Sequence, residues 1–523
     1  MLPDHKRFNL GYISARAAES VPDNIAVIDL HDGRENQITY RQLERRLNRF
    51  AAALQRLGVP VGERVALLLG NRIEFIEAMY GSMRAGCVPV MVNTKLGQDG
   101  MEQSIREAGA TVAIVDRECN ASAMQAALNA GCTYRLLLDE AGKTDEGWLN
   151  YTETMAAITD AAADHFEPPR LASDSVSELC FTSGSSGRPK AVMNTHRNIL
   201  MKLHVYAPLT QSIVGGTLRT LVSLPIFHAN GRLSIGSAFE TGGMVVIQPK
   251  FDARQALQNL SRYRITYILG VAPAYAAMLK EHDLLESLDF SSLTHVYVGS
   301  ATSGGDVMPR IARALGVRVI HTYGSTEAGV VLQMRPDEEC PLASCGRPTP
   351  AVDVKIIDVE SGQESNFGEL WIRGESLASG YWQRPEITAE KFVNGWYRSG
   401  DLFERDERGL HYFRGRTDEM FNVGGEKVYP TEVENILQRH PAVLSACVVA
   451  VTHSSKGEAP AAMVIAVKDA TLSEDELKQF FLQHGPGYAH PRKVVFAHEF
   501  PVAATGKVDR VRVKALLQAA YLE

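Results

Sequence analysis

The densest run of reactive side chains lies between Phe181 and Val192 and reads Phe-Thr-Ser-Gly-Ser-Ser-Gly-Arg-Pro-Lys-Ala-Val. Thr182, Ser183, Ser185 and Ser186 bring hydroxyls, Gly184 and Gly187 bring a pliable backbone, and Arg188 and Lys190 bring positive charge. Backbone N–H groups and hydroxyls of such a loop can close around the oxygens of a polyphosphate such as ATP. The Walker pattern is excluded, because it needs Gly-x4-Gly-Lys-Ser/Thr feeding a helix, whereas Lys190 stands three residues past Gly187 and Ala191 follows it. Taken alone, a Ser/Gly cluster also reads as a surface linker.

Five further polar clusters follow, each where the hydropathy pattern turns from strand to turn, the place at which α/β sheets bind ligands. Pro225-Ile-Phe-His228-Ala229-Asn230-Gly carries a histidine whose plainer reading is structural. Val298-Gly299-Ser300-Ala301 comes next, then Thr322-Tyr323-Gly324-Ser325-Thr326-Glu327, where donors, hydroxyls and one carboxylate could meet a nucleotide and Mg²⁺, with Glu327 as the metal ligand. Gly395-Trp-Tyr-Arg-Ser-Gly-Asp401 ends in an acid suited to ribose hydroxyls. Pro501-Val-Ala-Ala-Thr-Gly-Lys507 places one lysine on a glycine-containing turn, where a solvated side chain is the bland alternative.

Elements that could position these clusters are legible in the apolar spacing. Thr39 and Gln42 form a capping box ahead of a helix with Leu43, Leu47, Phe50 and Leu54 inward and Gly58 as its stop. A strand at Arg64–Leu69, a helix at Ile73–Arg84 and a strand at Val88–Val92 make a β-α-β unit, and the strand pattern recurs at 111–115, 267–271, 294–298 and 318–322. Parallel sheets covered by helices are expected, hence an α/β fold. Residues 351–413 read as a smaller β-rich subdomain. A compact α+β pattern follows a boundary near 418: a helix at 430–439, strands at 445–451 and 461–467, and a helix at 473–484.

With 523 residues and 45% hydrophobic content the chain can bury more than one core. A formal charge of -7, with no long run of one sign, gives no footing for nucleic acid or an anionic membrane, so the expected ligand is small. No apolar leader or spanning segment is found, and the seven cysteines form no Cys-x-x-Cys pair. A cytoplasmic protein with reduced thiols is expected, with a homodimer left open as its macromolecular partner.

Taken in order, Phe181–Lys190, Tyr323-Gly-Ser-Thr-Glu, Tyr397-Arg-Ser-Gly-Asp, Gly415-Arg-Thr-Asp-Glu and Gly506-Lys507 resemble the adenylate-forming superfamily of acyl-CoA synthetases, peptide-synthetase adenylation domains and luciferases, over about Thr39 to Arg510. The resemblance is most like a free-standing carboxylic acid–CoA ligase. It implies an N-terminal domain, 1–417, of two helix-covered sheets plus a β-barrel-like subdomain, and a small mobile C-terminal domain, 418–523, hinged at Asp418. It further implies that Thr182 to Lys190 cover the β- and γ-phosphates, Gly299-Ser300-Ala301 wall the adenine, Tyr323 stacks on it, Thr326 touches the α-phosphate, Glu327 binds Mg²⁺, and Asp401 with Arg416 hold the ribose. Thr322, Gly324 and Ser325 fall in the same nucleotide-binding set. Lys507 would bridge the acid's carboxylate and the α-phosphate, where anion meets anion and charge must be neutralised.

The implied reaction is acyl-adenylate formation with loss of pyrophosphate, then thioester formation with CoA after the C-terminal domain rotates. Gly425 and Lys427 match the loop that then faces the site, and His228 the residue lining the thiol's route. By position, His228, Ala229, Asn230, Val298, Thr322, Gly324, Gly329 and Val330 would line the acid pocket; small, mostly apolar walls fit an aromatic or medium-chain acid, and Asn230 and Thr322 hint at a polar substituent. Two departures are noted: Glu419 where many members show Asp, and Ser185-Ser186 for the more frequent Thr-Thr. An enzyme loading a separate carrier protein stays open as the alternative, while a non-catalytic nucleotide-binding regulator would be expected to lack Lys507 or Glu327.

Overall fold

The computed structural model describes residues 6, 8–139, 142, 145–182, 189–299, 307–335, 338–350, 352–453, 457–467, 470–501 and 508–522. Four sheets organise them. In the nine-stranded sheet the central strands, Ile25–Asp29, Met244–Ile247, Arg219–Val222, Tyr267–Gly270, His295–Val298 and Arg318–Ser325, run parallel. Its edges turn antiparallel, at Asn36–Thr39 on one side and at Gly329–Gln333 followed by Arg347–Pro348 on the other. The seven-stranded sheet is parallel from Leu149–Asn150 through Val176–Thr182 and closes with the antiparallel strand Lys190–Thr195. Parallel cores with short antiparallel edges are what βαβ connections and edge protection favour.

One apolar core is shared by both large sheets. The helices Tyr40–Arg56 and Ile73–Arg84 place Leu43, Leu47, Phe50, Ile76 and Met79 between Val27 and Ile38 of one sheet and Val65 and Leu67 of the other. The Thr39–Gln42 capping box forms as the sequence indicates. Two buried polar side chains fix the seam. Asp29 Oδ2 accepts the Ile73 N–H at 3.0 Å, at the positive end of the second helix. Asn71 donates through Nδ2 to the carbonyls of Leu224 (3.0 Å) and Gln248 (3.2 Å) and accepts the Ile226 N–H at 2.9 Å, so the loop leading to His228 is tied to the opposite sheet.

The third sheet is antiparallel throughout: Val352–Ile357, Phe367–Gly374 and Trp396–Arg405, whose far edge pairs with Phe392–Val393 at its start and with His411–Arg416 beyond. Register shifts at Glu369/Trp371 and Leu402/Phe403 curl it, and a Gly346–His411 bridge joins it to the edge of the nine-stranded sheet. The five strands of the fourth sheet all follow Asp418, with the helices Pro430–Leu437, Glu474–His484 and Arg510–Leu522 packed on them.

Several expected bounds shift. The helix from Pro430 stops at Leu437 and Ser473 is the N-cap of its helix, not a member; the strands lengthen to Val443–His453 and Gly457–Ala466. The larger correction is at Tyr323–Ser325, read from sequence as a turn following the strand 318–322. These residues continue the strand and pair with Gly329–Gln333 as a hairpin. Gly324 permits this, since a Cβ there would stand 2.1 Å from the Gly329 carbonyl oxygen. The helix His196–Val214, capped by Thr195 and Asn198, was not anticipated.

Replacing Asn71 by Ala strands one N–H and two carbonyls in the seam. We expect unfolding stability to fall by about 3 kcal/mol, measured by urea denaturation; a loss under about 0.5 kcal/mol would show that the seam does not depend on this side chain.

Candidate active site

A continuous line of side chains runs across the ends of three sheets. It begins at Thr182 and Lys190, cross-strand partners that close the two ends of the Ser/Gly-rich loop. Lys190 Nζ lies 5.8 Å from the centre of the Tyr381 ring. The Tyr381 hydroxyl donates to Glu327 Oε1 at 2.9 Å, and both residues are buried. Tyr397, also buried, stands in the fields of Glu327, Tyr381, Tyr323 and Asp401 together. Beyond it the Tyr323 hydroxyl donates to Asp401 Oδ2 at 2.6 Å, Arg416 Nη1 donates to Asp401 Oδ1 at 2.8 Å, and Arg416 Nε donates to Asp418 Oδ1 at 3.0 Å.

Local structure explains each placement. Asp401 and Arg416 meet because they are register partners on adjacent antiparallel strands. The strand just before Asp401 is held by Glu369, which accepts the Gly400 N–H at 2.9 Å, and Gly400 sits at φ +75°, a left-handed angle that favours glycine. Tyr323 packs edge-on against Phe403, centroids 4.7 Å apart. Residues 379–382 pair with the strand Lys190–Thr195: Met193 N–H to Gly380, Trp382 N–H to Ala191 and Ser379 N–H to Met193. The Ala378 N–H meanwhile donates to the Glu327 carbonyl at 2.7 Å. That strap delivers Tyr381 to Glu327.

Burial, reinforced by Asp401, pushes the Tyr323 phenol far above its ordinary value, and burial with Glu327 does the same for Tyr381. Both therefore remain donors, and each carboxylate keeps lone pairs for a ligand. Among the described residues no group of three or more His, Cys, Asp or Glu could hold a metal ion. Mg²⁺ is commonly held by one or two carboxylates together with substrate phosphates, and the buried carboxylate expected to meet it is Glu327.

The residues expected to line the acid pocket fall in three groups. His228 caps the helix Ala229–Glu240, so Ala229 and Asn230 lie in its first turn. Thr322 Oγ1 donates to the Val298 carbonyl at 3.3 Å, and a Cβ on Gly299 would stand 3.1 Å from that hydroxyl. Gly324, Gly329 and Val330 lie together in the hairpin. Ser325 Oγ accepts the Ala328 N–H, shaping the turn that carries Thr326 and Glu327. Gly425 lies in the turn of the hairpin Phe421–Val428 at φ +98°, and Lys427 pairs with Glu360 of the third sheet. Ser183, Gly184, Ser185, Ser186, Gly187, Ser300, Ala301 and Lys507 lie outside the described residues.

Sequence reasoning missed Tyr381, whose only signal is the Gly380-Tyr-Trp run. It also missed a buried polar network. Lys202 Nζ donates to Asn194 Oδ1 (3.0 Å) and to the Thr326 carbonyl (3.1 Å); Asn194 donates to Glu178 Oε1 (3.0 Å); Arg232 pairs with Glu178 at 3.2 Å and also donates to the Phe227 carbonyl. Burial drives the Lys202 ammonium down from 10.5 to about 8, with Glu178 the main opposing charge.

Comparison with known proteins adds lineage to this geometry. The family model described as AMP-binding enzyme matches residues 14–382, and that of the AMP-binding enzyme C-terminal domain matches residues 432–507. A feruloyl-CoA synthase from Amycolatopsis sp is 33% identical over 514 residues, covering 97% of this chain and 98% of the relative. A long-chain-fatty-acid–CoA ligase of Escherichia coli O157:H7 is 31% identical, covering 90% and 89%. The crystal structure of the anthranilate CoA ligase AuaEII in complex with anthranoyl-AMP superimposes with a TM-score of 0.88 at 25% identity, covering 98% of each chain.

Because the Lys202 pKa is lower in the fold than in the unfolded chain, unfolding takes up a proton between the two values and stability rises with pH across that window. Relative to Lys202→Met, the parent protein should gain about 3 kcal/mol as pH rises from about 8 to 10.5. Denaturation at both ends of the range measures it, and a pH-independent difference would refute the shifted lysine.

Proposed function

The chain belongs to the AMP-binding enzyme family, and from that premise we propose that it is an ATP-dependent carboxylic acid–CoA ligase. The observation that carries this reading is the unbroken line from Lys190 through Tyr381 and Glu327 to Asp401 and Arg416, which offers phosphate, metal and ribose chemistry in one site. Likeness over nearly the whole chain to relatives named for CoA thioester formation supports CoA as the acceptor. The acid is aromatic or medium-chain.

In the first step a carboxylate oxygen attacks the α-phosphorus and the bond to pyrophosphate breaks. Lys507 supplies positive charge to the two anions as they approach. Bound Mg²⁺ would add charge neutralisation at the phosphates, held by Glu327. The Ser/Gly-rich loop from Thr182 to Lys190 receives the β- and γ-phosphates, and Thr326 the α-phosphate. Gly299, Ser300, Ala301 and the Tyr323 ring enclose the adenine, and Asp401 with Arg416 takes the ribose hydroxyls. In the second step the thiol sulfur attacks the acyl carbon, its proton is released, and AMP leaves with the bonding electron pair. His228 lines the thiol's route.

Lys507 must withdraw before the thiol enters, so residues 418–523 move against 1–417 about Asp418, bringing Gly425 and Lys427 to the site. The Arg416–Asp418 pair supports this assignment, since it ties the first residues of the linker to the ribose carboxylate. The seven free cysteines suit a cytoplasmic setting.

Two substitutions test the division of labour. Lys507→Ala should cut acyl-adenylate formation by about a thousandfold or more while thioester formation from supplied acyl-adenylate survives; equal losses in both steps would remove Lys507 from the first transition state. Glu327→Gln should raise the Mg²⁺ concentration needed for half-maximal pyrophosphate release by about tenfold, and an unchanged Mg²⁺ dependence would count against metal binding.

A further inference from the structure

The strand Val443–His453 is an edge of the fourth sheet, and side chains meet its outward-facing backbone. The Val448 N–H donates to Glu434 Oε1 at 2.8 Å, the Val448 carbonyl accepts from Arg510 Nη1 at 2.8 Å, and the Thr452 N–H donates to Gln518 Oε1 at 2.6 Å. Covering an edge in this way is a structural task. Arg510 goes further. Its Nη2 pairs with Glu434 Oε1 at 2.9 Å, and its Nε faces Glu419 Oε1 at 3.4 Å, in the linker that leads into the sheet. One planar fork thus holds a strand, the helix Pro430–Leu437 and the linker at once.

Glu419 stands between two guanidiniums. Its N–H donates to the Arg416 carbonyl at 3.3 Å, and its carboxylate lies in the field of Arg416 as well as against Arg510. Arg416 in turn binds Asp401. Charges of alternating sign, Asp401, Arg416, Glu419, Arg510 and Glu434, therefore run from the third sheet across the linker to the start of the helix Arg510–Leu522. At that point lies the base of a turn. The Asp509 N–H donates to the Pro501 carbonyl at 2.8 Å, so residues 501 and 509 close the segment that carries Lys507. Asp509 Oδ1 accepts the Arg512 N–H at 3.0 Å, and Phe500 and Val508 pack on the apolar cluster of Cys447 and Val449.

We propose that Glu419 and Arg510 are positioning residues for acyl-adenylate formation: their ion pair ties the base of the lysine-bearing turn to the linker, so that rotation about Asp418 is delivered to Lys507 and not absorbed on the way. This rests on the ligase reading and deepens it. Without the pair, a turn closed at 501 and 509 keeps its shape but loses its orientation to the linker. A lysine displaced by about 1 Å then forfeits much of its effect on the two approaching anions. Both residues follow Asp418 in the chain, so they travel together with residues 418–523. The thioester step, from which Lys507 is withdrawn, does not need them.

Glu419→Gln keeps the length of the side chain and removes its charge. In the full-length protein, with cinnamate and octanoate as test acids, kcat for ATP–pyrophosphate exchange should fall about tenfold and KM for ATP should stay within about twofold. Thioester formation from supplied acyl-adenylate and CoA should keep the parent rate. Glu419→Asp, which restores the charge at shorter reach, should recover part of the loss. Arg510→Met should show the same split, and the double variant should lose no more than Arg510→Met alone. Glu419→Gln is the deciding variant, since Glu419 is partly exposed whereas Arg510→Met strips the buried Glu434 of its counter-charge. Hydrogen exchange gives a readout that needs no acid: the Asp509 amide should lose about tenfold of its protection in Glu419→Gln while the strand Val443–His453 keeps its own. A purely structural role would lower both half-reactions by the folded fraction. That result, an unchanged exchange rate, or unchanged protection at Asp509 overturns the proposal while the ligase reading stands. A parent that adenylates no carboxylic acid overturns both.

Discussion

The site depends on the backbone pairing of residues 378–382. This short segment is not part of any extended strand, yet most of its residues are buried, and its backbone pairs with Ala191 and Met193 on one side and Glu327 on the other, while the Tyr381 N–H donates to Thr388 Oγ1. Because those partners belong to the seven-stranded sheet and to the hairpin end of the nine-stranded sheet, the strap joins the Asp29 and Asn71 contacts in fixing the relative position of two sheets that share an apolar core. Apolar packing is non-directional and tolerates sliding; a ladder of hydrogen bonds does not. Tyr381 is placed at Glu327 by that difference.

Electrostatics impose a second layer of order. Glu178, Arg232 and Lys202, with Glu327 near, share an interior where an uncompensated charge is expensive. Arg232 and Glu178 settle each other through a near-contact pair and several hydrogen bonds. Asn194 then works as a relay between Glu178 and Lys202, so the strand following the loop, the helix bearing His228 at its start and the helix His196–Val214 are fixed to one another by polar contacts of defined direction. The same network reaches Thr326 through its carbonyl.

Much of the architecture could be read from the chain because the informative signals are local. The Thr39–Gln42 box, the inward leucines after it and the apolar strands at Val65 and Val112 each report their own element. The motif residues Tyr323, Asp401 and Arg416 were likewise recognisable, and the structure brings them into contact. What escaped was long-range. Tyr323–Ser325 looks like a turn because Gly324 and Ser325 are turn residues, but the partner strand beginning at Gly329 overrides that preference. The helix carrying Lys202 was hidden by Pro208 in its interior, a residue that removes a hydrogen bond and disguises an otherwise capped segment. Tyr381 had no local mark at all, since its role comes from a strap whose partners lie about 190 residues upstream in the chain.

Arg416 shares one guanidinium between Asp401 and Asp418. The first carboxylate belongs to the strand Trp396–Arg405 of the third sheet and the second to the stretch entering the fourth sheet. Thermodynamic reciprocity follows: whatever ligand alters the hold of Arg416 on Asp401 changes the free energy of the linker's geometry, and the linker's geometry returns the same increment to that ligand's affinity. The exposed Asp418 contact is screened by salt and the more buried Asp401 contact much less so, which makes ionic strength a means of changing the balance between them without touching either residue.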